Sequence, residues 1–111
     1  MIKFTQVYEL LQKVGIPVAY KQFDGPKQEI PDPPYIVYYE TRSSNIGADN
    51  VTYTEMLSVI VELYTDSCRD LELERKIKDL LTKAGLYFNT DHGDIPDEGT
   101  HIAYFEFSIF E

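Results

Sequence analysis

Few side chains of this 111-residue chain have the type and spacing that catalysis or metal binding requires. Its only histidines are His92 and His101, and the first of them stands between Asp91 and Asp94 in the segment DHGD. A divalent cation can bind carboxylates beside an imidazole, but Asp, Gly and His are also common turn residues. No second group of ligands has metal-site spacing, so the sequence predicts no metal site.

The sequence also gives no support for nucleophilic or acid–base catalysis. The single cysteine, Cys68, lies beside Asp66 and Asp70, and negative charges next to a thiol disfavour the nucleophilic thiolate. Glutamates in or beside predicted strands could pair as acid and base, but exposed glutamates on the solvent face of a sheet are the ordinary explanation. The chain has no glycine-rich phosphate loop and no nucleophile elbow. We therefore expect no enzyme activity, no catalytic residue and no cofactor.

The charge distribution argues against binding of nucleic acid. The formal net charge is −9, and no Lys or Arg follows Lys83, whereas affinity for phosphate backbones depends on basic side chains. The N-terminal segment is too polar for a signal peptide, and no apolar run approaches the roughly 20 residues that span a bilayer. The lone cysteine fits a reducing compartment. We expect the chain to be made in the cytoplasm.

Two segments have the apolar spacing of amphipathic helices. The first covers residues 5–14, with Thr5 as its predicted N-cap. The second begins at a cap formed by Asp66 or Ser67 and carries a continuous apolar stripe. Each segment is followed by a glycine, which is typical of a helix C-terminus.

The other regular segments have the composition and alternation of strands. These segments are residues 17–20, 35–41, 53–65, 101–110 and a strand that begins at 86–88. The alternation predicts that one face of 53–65 carries Leu57, Val59, Val61 and Leu63, and that one face of 101–110 carries Ala103, Phe105, Phe107 and Ile109. The sequence predicts an α+β fold of order α-β-β-β-α-β-β, mainly an antiparallel sheet with two amphipathic helices packed on one face. Residues 1–111 are predicted to form a single domain.

A sheet with helices on one side leaves its other side for solvent or a partner. Apolar and aromatic residues occur on both faces of the predicted strands, and large exposed patches of this kind usually mark interaction surfaces. The alternative is that the helices divide between the two faces and cover both. The polar segment 42–50, predicted to be a loop, is a second candidate contact. The residues predicted to contact other proteins are Tyr35, Tyr38, Tyr39, Arg42, Asn45, Ile46 and Tyr64.

Several segments together resemble a known class of virion proteins. They are GIPVAY, PPYIVYYE, NIGADNVTYTEM and VIVELYTD, followed by the charged helix RDLELERKIKDLL and the final strand AYFEFSIF. This pattern, which spans nearly the whole chain, resembles the small tail-completion proteins of long-tailed bacteriophages and of prophages of Gram-positive bacteria. These proteins are tail-terminator-like or join the head to the tail.

The resemblance implies a structural protein that caps the tail tube or joins it to the head connector. Proteins of this class have an α/β fold and typically form hexameric rings around the DNA channel. The implied partners are further copies of the chain and other tail or head-connector proteins, with no membrane involved. The implied location is the host cytoplasm during assembly and then the virion tail or head–tail junction. The family supplies no catalytic residues to carry over.

Two other functions remain open from the residues alone. An acidic inhibitor or DNA mimic of a mobile element needs carboxylates spaced like phosphates on one face, but acids and bases interleave on the second helix. A small-ligand-binding domain or enzyme needs a deep pocket with convergent polar groups. A deep pocket in the structure would favour this alternative, whereas flat aromatic strips would favour a protein-binding surface.

Overall fold

The computed structural model describes residues 2–23, 30–46, 54–66, 68–95 and 99–110, and for residues 42–46 and 54 it describes the backbone only. Its elements in chain order are a 3₁₀ turn at Phe4–Gln6, α1 at Val7–Gln12, β1 at Val18–Tyr20, β2 at Tyr35–Ile46, β3 at Thr54–Asp66, α2 at Leu71–Lys83, β4 at Phe88–Ile95 and β5 at Thr100–Phe110. The predicted α+β class and the order α-β-β-β-α-β-β are confirmed.

The five strands form one sheet in the order β1-β2-β3-β5-β4. Three of the neighbouring pairs are antiparallel, and the short strand β1 runs parallel to β2 at one edge. β3 is the central strand and pairs along its length with β2 on one side and β5 on the other. The prediction of a mainly antiparallel sheet is therefore confirmed.

Successive residues of the central strands point to opposite faces of the sheet. Val59, Val61 and Leu63 of β3 are all completely buried on one face. Their neighbours on β5 are buried on the same face and belong to the same apolar cluster: Ala103, Phe105, Phe107 and Ile109. The alternation read from the sequence thus gives the true core face of both strands.

Both helices pack on this same face. Val7 and Leu11 of α1 and Ile77 and Leu81 of α2 are fully buried in the cluster that the two strands form. Burial of apolar surface of this kind is the main stabilising contribution to a fold of this size. Because both helices lie on one side, the opposite face of the sheet has no helical layer within the described residues.

β2 is longer than the sequence predicted. The expected strand ends at Thr41, but the observed strand continues to Ile46 after a shift of register around Thr41. Its second half pairs with residues 54–58 of β3. The hydrogen bonds that this pairing gives the backbone of β3 outweigh the turn propensity of the sequence RSSN. The expected loop 42–50 is therefore strand up to Ile46, and residues 47–50 lie outside the described residues.

The first helix is shorter than the predicted 5–14 at both ends, because a 3₁₀ turn at Phe4–Gln6 takes the place of its first residues. Thr5 is not the N-cap, because it lies inside the 3₁₀ turn that precedes α1. Lys3 is the N-cap of that turn, and its backbone N–H donates to Gln6 Oε1 at 2.8 Å, while Gln6 occupies the N-cap position of α1. The α-helical part ends at Gln12, and Gly15 follows with the positive φ of 92° that a helix C-terminus favours.

The second helix also starts at a different residue. β3 continues through Asp66, which pairs with Thr100, so Asp66 cannot cap the helix. Ser67 lies outside the described residues. The cap is Asp70, whose side chain accepts a hydrogen bond from the backbone N–H of Leu73 at 3.1 Å. Several Asp and Ser residues in this segment are suitable caps, and sheet pairing decides which one is used.

Candidate interaction surface

The side of the sheet that faces away from the helices is built from alternate residues of four strands, and we call it the open face. The pairing register aligns these residues in rows across β2, β3, β5 and β4. Its central residues are Tyr35, Val37, Tyr39, Ile60, Glu62, Tyr64, Ile102, Tyr104, Glu106, Asn89, Asp91 and Gly93.

Aromatic rings cover one half of the open face. The rings of Tyr35 and Tyr64 stack across β2 and β3 with centroids 4.7 Å apart, and Phe23 meets Tyr35 edge-on at 5.3 Å. Val37 is only 7% exposed, although no described helix covers it. We attribute this burial to the tyrosines around it, which form a flat and partly buried apolar strip.

Glu62 is the polar centre of the open face. Its two carboxylate oxygens accept hydrogen bonds from the hydroxyls of Tyr39 and Tyr64, both at 2.8 Å. Burial, followed by the hydrogen bond to Glu62, raises the pKa of Tyr39 to about 12. The same causes raise the pKa of Tyr64 further above its ordinary value. The two hydroxyls therefore stay protonated and hold the carboxylate in one position.

The electrostatic character of the open face is acidic. Glu62, Asp91 and Glu106 occupy it, and β3, β4 and β5 contain no Lys or Arg. A partner that packs against this face gains most from aromatic contact at the β2–β3 side and from basic groups at the β5–β4 side. The arrangement suits recognition of a protein surface.

The structure places the predicted contact residues in three different settings. Tyr35, Tyr39 and Tyr64 lie on the open face. Tyr38 points to the helix side, where it is 5% exposed and packs against the rings of Phe4, Tyr8 and Tyr20. The backbones of the other three lie in the second half of β2, and their side chains are outside the described part of the structure: Arg42, Asn45 and Ile46.

Glu62 and Tyr104 were missed as open-face residues of interest. Tyr104 lies over β4, where its ring comes to 3.4 Å from the position that a Cβ on Gly93 would occupy. The period-two alternation already put both residues on the face opposite the core. What the sequence could not indicate was that β2, β3, β5 and β4 are adjacent in that order, which makes one continuous surface.

Two cavities of about 370 Å³ lie along this side of the molecule. One is lined by Ile60, Tyr104 and Glu106 of the open face, together with residues 89–91 of β4. The other lies at the end of the sheet, where Tyr87, 95% exposed, and Phe110, 41% exposed, line its wall. Each is a depression in a sheet surface that aromatic side chains of a partner could fill.

A separate polar cluster lies on the helix side. Glu74 of α2, His92 of β4 and His101 of β5 place potential metal-ligand atoms within 4.8 Å of one another. Sequence spacing gave no indication of this group, because its members come from three elements that meet only in the folded chain.

No protein-family model and no curated protein matches the chain. Among solved structures, the chain is similar to a chain in the virion of a native gene transfer agent particle, with a TM-score of 0.60 and 12% sequence identity. The likeness covers 94% of this chain and 90% of that chain, so the two share a fold over almost their whole length. Within the described residues, no helix is long and apolar enough to cross a membrane.

Proposed function

We propose that this chain is a structural protein of a phage-like virion, and more narrowly a tail-terminator (tail-completion) or head–tail joining protein. The observation that carries the proposal is the shared fold with a chain of a gene transfer agent virion, which extends over 94% of this chain. The open aromatic face supports it independently, since a surface of this kind fits a protein that functions by contact with others.

In this proposal the chain assembles into a ring, hexameric in the assembled particle. A closed ring uses head-to-tail contacts, which require two different complementary patches on each subunit. The open face supplies one patch, with the Tyr35–Tyr64 stack at its β2–β3 side and acidic residues at its β5–β4 side. The proposed occupant of the open face is the neighbouring copy of the chain.

The proposed location follows from the assembly. The chain is made in the host cytoplasm and then becomes part of the virion tail or of the head–tail junction. Its other partners are proteins of the tail tube or of the head connector. The proposed activity is protein binding, without catalysis and without a cofactor.

The decisive experiment measures the mass of the assembled protein. We would examine the purified chain, alone and co-expressed with a phage tail-tube protein, by light scattering and negative-stain microscopy. The expected result is a ring with the mass of six chains in at least one of the two preparations. A monomer in both preparations would overturn the proposed ring.

A charge reversal on the open face tests where the ring contact lies. Glu106 and Asp79 are both exposed acidic residues, but Glu106 lies on the open face and Asp79 on α2. We expect Glu106→Lys to abolish the ring and the matched control Asp79→Lys to leave it intact. Equal assembly of both variants would place the contact elsewhere on the subunit.

A further inference from the structure

A network of polar side chains lies on the helix-covered side of the sheet, near the start of α2. Arg69 Nη2 and Nε lie 2.8 and 3.2 Å from the two carboxylate oxygens of Glu74, and Nη2 is also 3.4 Å from His92 Nε2. His92 Nδ1 is 3.1 Å from His101 Nε2, and His101 Nδ1 is 2.8 Å from Asp94 Oδ1. Three elements and the segment before α2 thus meet at one point.

The hydrogen-bond partners assign the proton positions. A carboxylate only accepts, so His101 donates its Nδ1–H to Asp94 and keeps a lone pair on Nε2. His92 Nδ1–H donates a hydrogen bond to this lone pair, so an ion bound between the two nitrogens must replace that proton. A carboxylate on the far nitrogen of a histidine is the usual arrangement behind a metal-binding imidazole, because it fixes the ring and its tautomer.

The remaining groups fit a transition-metal ion. Two nitrogen atoms bound to one tetrahedral zinc ion lie about 3.3 Å apart, and the facing nitrogens of His92 and His101 are 3.1 Å apart. Two imidazoles with one carboxylate suit zinc-type ions, whereas magnesium and calcium prefer oxygen ligands. The side chains of Glu74 and His101 are only 3% and 7% exposed, while that of His92 is 35% exposed and leaves access from solvent.

We propose that Glu74, His92 and His101 form a binding site for a zinc-class divalent ion, with Asp94 as the residue that orients His101. The site joins α2 to β4 and β5, so a bound ion would hold the start of the helix against the sheet. Its role is structural, and it does not depend on the ring proposed above.

Arg69 is the competitor of the ion at this site. Its guanidinium now pairs with both oxygens of Glu74, and a cation that binds Glu74 must displace it. The Arg69 side chain is 45% exposed, so its guanidinium can move into solvent when an ion binds. Replacing Arg69 with Gln removes the competing charge and should tighten metal binding several-fold.

The test uses the full chain after treatment with a chelator. Calorimetric titration with zinc chloride should show binding of one ion per chain. The midpoint temperature of thermal unfolding should rise with zinc, because a ligand that binds the folded state stabilises that state. Magnesium chloride should produce neither effect. Cobalt chloride should give the visible absorption of a tetrahedral site.

Three variants make the outcome specific. Asp94→Asn should weaken zinc binding about 10- to 100-fold, as loss of an orienting partner does, while the matched variant Asp79→Asn, at an exposed position of α2, should leave it unchanged. His92→Ala should remove binding, and since His92 is partly exposed this variant should fold. Circular dichroism checks that it does. Absence of one-to-one zinc binding in the natural chain, or equal binding by His92→Ala, would overturn the proposal.

Discussion

The rings of Tyr35 and Tyr64 stack with their planes 15° from parallel and their centroids 4.7 Å apart. The two residues pair directly across β2 and β3, so the stack joins the strands at the open face. Cross-strand aromatic pairs of this kind stabilise a sheet beyond the area they bury.

We expect a coupling energy between the two rings of about 0.5–1.5 kcal/mol. The measurement is a double-mutant cycle with Tyr35→Ala, Tyr64→Ala and the double variant, each unfolded in urea. Tyr87→Ala is the control, because Tyr87 is 95% exposed and its removal should leave the free energy of unfolding unchanged. Additive effects of the two open-face variants would mean that the stack contributes nothing of its own.

Replacing Glu62 with Gln should lower the pKa of Tyr39 from about 12 toward the ordinary value. Burial of the ring still raises the pKa, but the amide lacks the negative charge that opposes tyrosinate. An ultraviolet titration of tyrosinate, with Tyr39→Phe to identify the contribution of that residue, measures the change. An unchanged titration of Tyr39 would contradict the hydrogen bond to Glu62.

The same groups predict a loss of stability in alkali. A tyrosine whose pKa is raised by folding holds its proton longer in the folded state than in the unfolded state. Its stabilising contribution is therefore complete below pH 10 and is lost as the pH rises through about 12. Denaturant unfolding at increasing pH should show this decline in the natural chain and a smaller one in Glu62→Gln.

Asp70→Ala should destabilise the protein by about 0.5–2 kcal/mol, because it removes the acceptor for the N–H of Leu73. Asp66→Ala is the matched control, since Asp66 is exposed at the end of β3 and caps no helix. The free energies of unfolding of the two variants, measured with heat or urea, show whether Asp70 or Asp66 caps α2. A larger effect of Asp66→Ala would place the start of α2 where the sequence first indicated.

Phe105→Ala and Phe110→Ala test the register of β5. Phe105 is 1% exposed in the core, so its truncation should cost about 3–5 kcal/mol. Phe110 is 41% exposed at the end of the same strand, and its truncation should cost clearly less. Urea unfolding of both variants gives the comparison, and similar losses would be inconsistent with the observed faces of β5.

Local patterns were reliable where one face of an element is buried. The alternation in β3 and β5 predicted their core residues correctly, because a strand with one buried face must place its apolar residues two apart. Turn propensity misled in β2, where the polar residues after Thr41 are strand. The choice among the possible caps of α2 was equally undecided, since the end of β3 determines which residue is free to cap.

The candidate contact residues were predictable only in part, because residue type does not determine the face on which a side chain lies. Tyr35, Tyr39 and Tyr64 were expected to contact partners from their aromatic character, and all three lie on the open face. Tyr38 has the same character but points to the core, where the tyrosine and phenylalanine rings near α1 and β1 enclose it. A one-residue step along a strand moves a side chain to the opposite face of the sheet, and residue type alone does not indicate which face that is.

By itself, the sequence determined the fold class, the order of the elements and the acidic character of the chain, since all three follow from local periodicity and composition. The tertiary structure decided which strands are neighbours, and hence that the tyrosines and Glu62 form one surface. It also brought Glu74, His92 and His101 together from α2, β4 and β5. Contacts between residues far apart in the chain depend on strand order and helix packing, and these are set by burial of the whole core.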